Sequence, residues 1–594
     1  NGNLTETWLN IPLILSIAKE SGADAIHPGY GFLSENAAFA RACEQEGIIF
    51  IGPRSDVIEK MGSKILSSAI ARQAGIPLLP RLEGEPALLI EKAHQLGFPL
   101  LVKAAAGGGG KGMVRIDSQG MLEQGVFAAS EQALRYFANE KVYLEKYVQH
   151  PRHIEVQILA DNHGNVVHLL ERECTLQRNH QKVVEEAPSV SLNPQNRTAL
   201  HDAAVKLAKT VGYTNAGTVE FILDEDGKFY FLEMNTRIQV EHPVTEAITG
   251  VDIVEEQLHI AMNKKLSVRQ EDVKAHGHAI EVRLYAEDPL HNFRPSAGTV
   301  KKFILPTSKD LRVDSSIASS GKVNSNFDAM IAKIVVSSTS RDEAIMSMQK
   351  VLDNTLVHGI KTNLALLAGI VKAEIYKNNT ISTHSIADNL SRWATPESTF
   401  EDMILAAGLF LWLERYSSGQ GNNAWRMANI EKLLVNQNEI SVFHFPLGDH
   451  GVHLRKGDQS WDFSRISVDE HKISFLCNKK AFSFVFSYSE RNSMFLVNGV
   501  HYQVVLPQAV VTRRLSTGTN GNKLPDLKAT LFGRVLRVNV AAKQKVKSGD
   551  PLLVVESMKM ENTILAPEDN VVSSINVKVG DQVSDGQVLI SFED

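Results

Sequence analysis

The stretch Thr218-Val-Glu-Phe-Ile-Leu-Asp-Glu-Asp-Gly-Lys-Phe-Tyr-Phe-Leu-Glu-Met-Asn235 decides how this chain is read. Apolar and polar residues alternate on both sides of Asp226-Gly227, a dipeptide suited to a two-residue hairpin turn. Closing the turn there sets Glu220 directly opposite Glu233, on the same face of the ladder. Carboxylates whose Cβ atoms lie about 5 Å apart repel each other unless a cation sits between them. The pairing therefore predicts a divalent metal bound to nucleotide phosphates, against the alternative of a solvated hairpin face. Continued with period two, the strand sends Glu233, Asn235, Arg237, Gln239 and Glu241 to one side, and Met234, Thr236, Ile238 and Val240 to the other. Amide, guanidinium and carboxylate groups in succession point to a ligand-facing strand rather than an exposed edge.

Working outward, residues from Asn1 to about Ala394 alternate between helical periodicity, as in Ser63 to Ala74, and short strands such as Leu100 to Lys103, which predicts an α/β architecture. Gly107-Gly108-Gly109-Gly110-Lys111-Gly112 follows that strand, and glycines there let backbone N–H groups approach phosphate oxygens; an ordinary loop is the alternative, since the spacing is not a Walker motif. The apolar run Met403 to Leu413 is far short of the about 20 residues that span a bilayer, so it reads as a buried helix. Segments rich in strand formers follow at Ile440–Phe445, Ile473–Cys477, Phe482–Tyr488 and Met494–Leu506, the last with an Asn498-Gly499 hairpin signal. Residues 516 to 526 are polar turn formers, a linker. Beyond them Gly533 to Val540, with Val546, Gly549 and Leu552-Leu553, recurs as Asn570 to Val577, with Val583, Gly586 and Leu589-Ile590. Such a repeat predicts two similar β units. The expected domains are 1–394, α/β; 395–515, a β-rich domain with a central helix; 516–527, the linker; and 528–594, a pseudo-symmetric β-sandwich.

The chain has 594 residues, 43% hydrophobic and 22% charged, with net charge −6. That balance excludes a basic nucleic-acid binder and a disordered polar chain. Cys43, Cys174 and Cys477 are widely spaced and match neither a disulfide framework nor a zinc site, which favours a reducing compartment. No segment reads as a transmembrane helix. Residue 1 is Asn, and helical periodicity begins by Ile11-Pro12, so an upstream segment holding any targeting peptide is expected.

Lys559, in Glu556-Ser-Met-Lys-Met-Glu561, falls between the repeated halves, where a connecting turn would expose it; an ordinary surface lysine is the alternative. The module resembles the biotin carboxyl carrier domain of biotin-dependent carboxylases, whose usual signature is Ala-Met-Lys-Met. It departs from that family at Ser557, at Thr530-Leu531-Phe532-Gly533 and at Asn570. A lipoyl domain shares the fold, but its lysine is more often flanked by Asp and Ala. The resemblance implies covalent biotin on Lys559 and modification by a biotin protein ligase.

Glu233-Met-Asn-Thr-Arg-Ile-Gln-Val-Glu-His-Pro243, with His27 to Asn36, Lys103 to Gly112 and His180-Gln-Lys-Val-Val-Glu-Glu-Ala-Pro188, resembles the biotin carboxylase branch of ATP-grasp enzymes over nearly all of residues 1 to 390. That resemblance implies nucleotide ligands at Lys64, Lys103, Gly109, Gly110, Glu145, Lys146, His153 and His180. It implies Mg2+ or Mn2+ at Glu220, Glu233 and Asn235. It also implies bicarbonate and catalytic positions at Lys182, Arg237, Gln239, Val240 and Glu241, with Glu241 as general base and Arg312 facing biotin. Asn179, Asp314 and Phe327-Asp328-Ala329 depart from the family pattern without removing a ligand.

Carboxylase, β domain and carrier consume the chain and leave no room for a carboxyltransferase. The order resembles the α subunits of acyl-CoA carboxylases such as those for methylcrotonyl-CoA and propionyl-CoA. This implies ATP- and bicarbonate-dependent carboxylation of biotin on the chain's own carrier. It further implies a hetero-oligomer in which the middle domain docks on a carboxyltransferase β subunit that holds the acyl-CoA. Ala424-Trp425-Arg426-Met427 favours the methylcrotonyl branch; propionyl-, geranyl- and acetyl-CoA are the alternatives. Such subunits are expected in the cytoplasm of bacteria or the mitochondrial matrix of eukaryotes, with neither nucleic acid nor membrane as partner. A biotin-independent ATP-grasp ligase and a non-catalytic carrier are the competing readings from other classes.

Overall fold

The computed structural model describes residues 4–105, 113–137, 139–324, 327–415, 429–447, 451–489, 492–507, 526–529, 533–557, 560–583 and 587–593. Gly109, Gly110, the stretch Ala424 to Met427, Lys559 and the expected linker up to Pro525 lie outside the described residues.

The body of the first part is an eight-stranded antiparallel sheet. Its strands run in the order Phe229–Asn235, Asn215–Leu223, Arg152–Ala160, Val166–Arg178, Gln181–Ala187, His278–Tyr285, Met330–Ser338 and Leu311–Ser315. Period-two alternation divides its faces. Ile154, Val156, Ile158, Val219, Phe221 and Met234 pack with helix Pro194–Val211 in one apolar cluster. His153, Glu155, Gln157, Thr218, Glu220 and Asn235, also buried, turn to the opposite face.

Above that polar face stands a second, four-stranded sheet of Arg81–Glu83, Val142–Lys146, Leu100–Ala104 and Met113–Ile116, with its own core against helices Pro86–Lys92 and Gln119–Phe137. The N-terminal segment is smaller. Helix Ile11–Ser21 is capped by Asn10, whose side chain accepts from the Leu13 N–H at 3.1 Å, and it ends at Gly22 with φ 69°.

Helix Phe400–Arg415 runs inside a closed eight-stranded barrel built from residues 429–505. It is apolar on every side because it is enclosed on every side: Ile404, Leu405, Leu409 and Phe410 are buried against Leu433, Leu454, Phe463, Phe495 and Val504. Asn498 and Gly499 both take positive φ, 51° and 76°, as a two-residue primed turn requires.

The final module is a sandwich of two four-stranded sheets. Strands Leu527–Lys528, Val588–Phe592, Asn570–Ile575 and Lys545–Val546 form one; Met560–Leu565, Pro551–Ser557, Gly533–Val538 and Gln582–Val583 form the other. The sequence repeat maps each strand of one sheet onto the corresponding strand of its partner, which is a pseudo-two-fold relation. Strands Pro551–Ser557 and Met560–Leu565 pair antiparallel up to Ser557 opposite Met560.

Candidate active site

Glu220 and Glu233 are register partners, but the turn that sets them so differs from the one expected. Leu223 pairs with Phe229, and the Asp224 N–H donates to the Lys228 carbonyl, leaving the three-residue loop Glu225-Asp226-Gly227 with Gly227 at φ 77°. A register shift beyond Phe221–Phe231, where Leu232 is the extra residue, cancels the longer turn and restores the expected pairing from Glu220 onward.

The strand also ends earlier than its alternation suggests. Asn235 is its last residue; residues 236–241 form a turn leading into helix His242–Thr249, with Pro243 in its first turn. Glu35 fastens this turn: its carboxylate accepts from the Thr236 N–H at 3.1 Å and from Arg237 Nε at 2.9 Å. Arg237 thus faces Glu35 and Asn235 Oδ1, the latter at 3.1 Å, while Gln239 and Glu241 reach the polar face of the sheet.

Lys182 is the centre of the cluster. Its ammonium donates to Glu241 Oε1 at 2.6 Å, to Glu220 Oε1 at 2.9 Å and to Glu155. Burial penalises the ammonium, but the three carboxylates outweigh that and raise its pKa well above the ordinary lysine value. Glu220 also accepts from Asn235 Nδ2 and Gln239 Nε2, each at 2.7 Å, and lies 3.0 Å from His153 Nε2. Burial pushes its carboxyl up; Lys182 and His153 pull it well below the usual carboxylate range. Glu241 behaves alike: burial is overcome by Lys182, Arg283 and Arg172.

Two arginines complete the centre. Arg172, fully buried, donates to Glu155, Gln157, Thr218, Gln239 and Thr245. Arg283 donates Nε to Glu185 at 2.5 Å and NH2 to Glu241 Oε2 at 2.8 Å. Arg172, Arg283 and Glu155 carry no motif signal, whereas Glu35 belongs to the His27 to Asn36 stretch; Glu241 meets Arg283 from the turn before helix His242–Thr249, a contact between parts of the chain far apart in sequence. Arg312 instead pairs with Glu246 at 2.6 Å and Asp314 at 3.0 Å. Asp314 reaches Lys333, whose ammonium donates to the Val240 carbonyl, each contact at 3.0 Å.

Glu233 differs from its partner. Burial and the facing Glu220 raise its pKa, against Lys64, so this carboxylate is held in an environment short of positive charge. A hard divalent cation among Glu220, Glu233 and Asn235 fits that deficit and an all-oxygen donor set. The opposite imbalance lies nearby. Lys64 is lowered by burial and by Lys103, and His180 by burial, Lys103 and His384, so these cations are crowded and an anionic phosphate chain fits between them. Lys103 is ion-paired with Glu145. Lys146 turns away and donates to the Gly97 carbonyl at 3.4 Å.

The chain matches the family models described as biotin carboxylase N-terminal domain over residues 1–58, carbamoyl-phosphate synthase L chain ATP-binding domain over 64–269, biotin carboxylase C-terminal domain over 281–388 and biotin-requiring enzyme over 523–592. It is 38% identical to the methylcrotonoyl-CoA carboxylase subunit α of Dictyostelium discoideum, covering 98% of this chain and 87% of that one. The chain belongs to the α subunits of biotin-dependent acyl-CoA carboxylases. Another relative of this family, the propionyl-CoA carboxylase α chain of Ruegeria pomeroyi, is 36% identical over 99% of this chain and 92% of its own. Among solved structures, the biotin carboxylase domain of the Hydrogenobacter thermophilus 2-oxoglutarate carboxylase, in complex with MgADP, ADP and bicarbonate, aligns with a TM-score of 0.63 and 42% identity. That alignment covers 66% of this chain and 86% of the other. As an acyl-CoA carboxylase α subunit, the protein is an ATP- and bicarbonate-dependent biotin carboxylase carrying its own biotin domain, with ATP, magnesium and biotin as cofactors. α Subunits of this family work with a carboxyltransferase subunit. Among the described residues no helix is long and apolar enough to cross a membrane.

Proposed function

We propose that Glu241 is the general base that deprotonates bicarbonate for attack on the γ-phosphorus of ATP, with Lys182 and Arg283 holding the anion. The observation carrying this reading is the double clamp on Glu241, one oxygen on Lys182 and the other on Arg283, in a buried site. Clamped in this way the carboxylate is a weak base. Bicarbonate is itself an anion and competes for the same donors. Each hydrogen bond it takes over raises the Glu241 pKa, so substrate arrival converts the resting ion pair into a base at the place where one is needed. Gln239 is held by Arg172 and Glu220 and orients the turn that presents Glu241.

Lys64, Lys103 and His180 are the phosphate-side cations, and Glu220, Glu233 and Asn235 would hold the divalent metal, which when bound supplies charge neutralisation for the phosphates. Lys559 is the biotin attachment residue; biotin supplies the nitrogen that accepts the carboxyl group. The duplicated sandwich and the Ser557–Met560 pairing support that assignment. A biotin protein ligase modifies it, and the enzyme is a hetero-oligomer docked through the helix-filled barrel. The compartment is the cytoplasm in a bacterium or the mitochondrial matrix in a eukaryote. The acyl acceptor is 3-methylcrotonyl-CoA, with propionyl-CoA as second reading, since relatives of both kinds cover the chain about equally.

Three measurements test these assignments. Glu241→Gln should lower bicarbonate-dependent ATP hydrolysis by about 10²–10⁴-fold; an unchanged rate refutes the base. Lys559→Arg should abolish the streptavidin signal after co-expression with a biotin ligase. Labelled-bicarbonate fixation with a carboxyltransferase subunit across acyl-CoAs identifies the acceptor.

A further inference from the structure

Glu281 lies in strand His278–Tyr285, completely buried, and neither of its carboxylate oxygens meets a hydrogen-bond donor. Its cross-strand neighbour is Glu185, equally buried, with one oxygen on Arg283 Nε and Oε2 unpartnered. Side chains directly opposite in an antiparallel ladder share a face, with Cβ atoms about 5 Å apart. Three open carboxylate oxygens therefore occupy one dry region. Its far side is apolar: Val335 is the other cross-strand neighbour of Glu281 and packs with Ala187, Ala279, Val244 and Ile248.

The ionisable groups that bear on Glu281 and Glu185 come from six elements: Lys182 from strand Gln181–Ala187, Arg283 from the strand of Glu281 itself, Lys333 from strand Met330–Ser338, Glu241 from the turn before helix His242–Thr249, Cys174 from strand Val166–Arg178 and Tyr376 from helix Glu374–Lys377, the last two neutral in their burial. None of the three cations donates to Glu281, and only Arg283 reaches Glu185. Lys333 serves Asp314 and the Val240 carbonyl, Lys182 serves Glu155, Glu220 and Glu241, and Arg283 is shared by Glu185 and Glu241. Two ionised carboxylates here would be buried charges with too few donors, which costs far more than a neutral acid. One proton between them removes the surplus charge and supplies the missing donor.

We propose that Glu281 is held as the neutral acid and shares its proton with Glu185, and that this pair is a positioning device that keeps Arg283 on Glu241. As a monoanion the pair holds Arg283 through Nε and leaves NH2 for Glu241. Loss of the shared proton to solvent places two anions beside the guanidinium, draws it from Glu241 and lowers turnover on the alkaline side. The charge environment agrees: burial and Glu185 push Glu281 well up, and burial, against Arg283, raises Glu185 to about 7. The functional half of this inference rests on the role proposed for Glu241.

The test uses the full chain and follows bicarbonate-dependent ATP hydrolysis from neutral to alkaline pH. Glu281→Gln keeps a donor for Glu185 but cannot ionise, so its alkaline limb should move up by one pH unit or more. Glu281→Ala removes donor and acid together and should lower kcat by about tenfold at every pH, as expected when a buried carboxylate loses its partner. A wild-type limb in Glu281→Gln, or equal behaviour of the two variants, overturns the proposal. Infrared difference spectra read the proton without relying on activity or on a variant that folds. Wild type should show a carboxylic-acid C=O band near neutral pH that vanishes as the alkaline limb is crossed, and its absence also overturns the proposal. The band should persist in Glu241→Gln whether or not Glu241 is the base, so the two readings fail separately.

Discussion

Lys182→Met tests the centre of the site most directly, because methionine keeps an unbranched side chain of nearly the same reach and removes the ammonium with its charge and donors. In the wild type one ammonium serves Glu155, Glu220 and Glu241. At an effective dielectric of about 20 a charge pair at 4 Å is worth about 4 kcal/mol, or roughly three pKa units for its partner. Much of that is offset by desolvation of the ammonium, and removing one partner of a buried pair costs about 3–5 kcal/mol net. The sign with pH follows from the shifts. Glu220 and Glu241 have folded pKa values depressed below the unfolded value, so they contribute stability above about pH 4.5 that is lost as pH falls through the folded values. Without Lys182 their folded values rise, and the variant regains stability relative to wild type as acid protonates them. Denaturant unfolding of the carboxylase region should show a loss of about 3–5 kcal/mol at pH 8 that shrinks by pH 5. The acid limb of kcat/KM for bicarbonate should move up by about 2–3 units. A loss below about 1 kcal/mol with no pH dependence, the size typical of an exposed pair, would refute the reasoning.

Acid should loosen the barrel from the carboxylase body. His358 is bonded to Ser487 Oγ across that boundary at 2.8 Å, and His501 to the Thr355 backbone; burial lowers each from 6.5 to about 4. Unfolded or separated states bind these protons first, so contact stability is full above pH 6.5 and falls from there toward pH 4, by up to about 3 kcal/mol per histidine. Protection of the barrel strands against hydrogen exchange, referred to the intrinsic exchange rate at each pH, should fall from pH 7.5 to 5, and less so in His358→Asn. Gly408→Ala places a Cβ 2.3 Å from the Phe463 ring inside the barrel. Overpacking of about 1–3 kcal/mol should exceed the about 1 kcal/mol gained in helix propensity, lowering the barrel's melting temperature while leaving ATP hydrolysis intact.

Local pattern made part of this molecule legible. Alternation around Asp226-Gly227 identified the Glu220–Glu233 pair, and an all-round apolar run identified the enclosed helix. The hairpin came out right for an incomplete reason. The inner strand Asn215–Leu223 pairs without interruption to Arg152–Ala160, so the extra residue of the longer turn is absorbed by the outer strand, at Leu232. Nothing nearby in sequence announces that bulge. Period two also ran past the true end of the strand; Gln239 and Glu241 reach the site because Glu35, about two hundred residues earlier in the chain, ties the turn down. Arg172, Glu155 and Arg283 were hidden for a related reason. Each stands among other charged residues of its strand, and it is set apart from them only by partners brought by non-local pairing. Closure of the barrel, through Leu434 and Val435 against Val505 and Val504, is likewise a long-range contact without a local signal.

The exchange of sheets in the carrier has a mechanical corollary. Strand Met560–Leu565 follows the Ser557–Met560 pairing, and its counterpart in the other half is Leu527–Lys528, the first strand of the module. The two-fold relation carries each strand into the opposite sheet, so the arriving strand and the one that follows the Ser557–Met560 pairing lie in different sheets of the sandwich. A load entering through Leu527–Lys528 is therefore taken first by the sheet that contains neither Pro551–Ser557 nor Met560–Leu565.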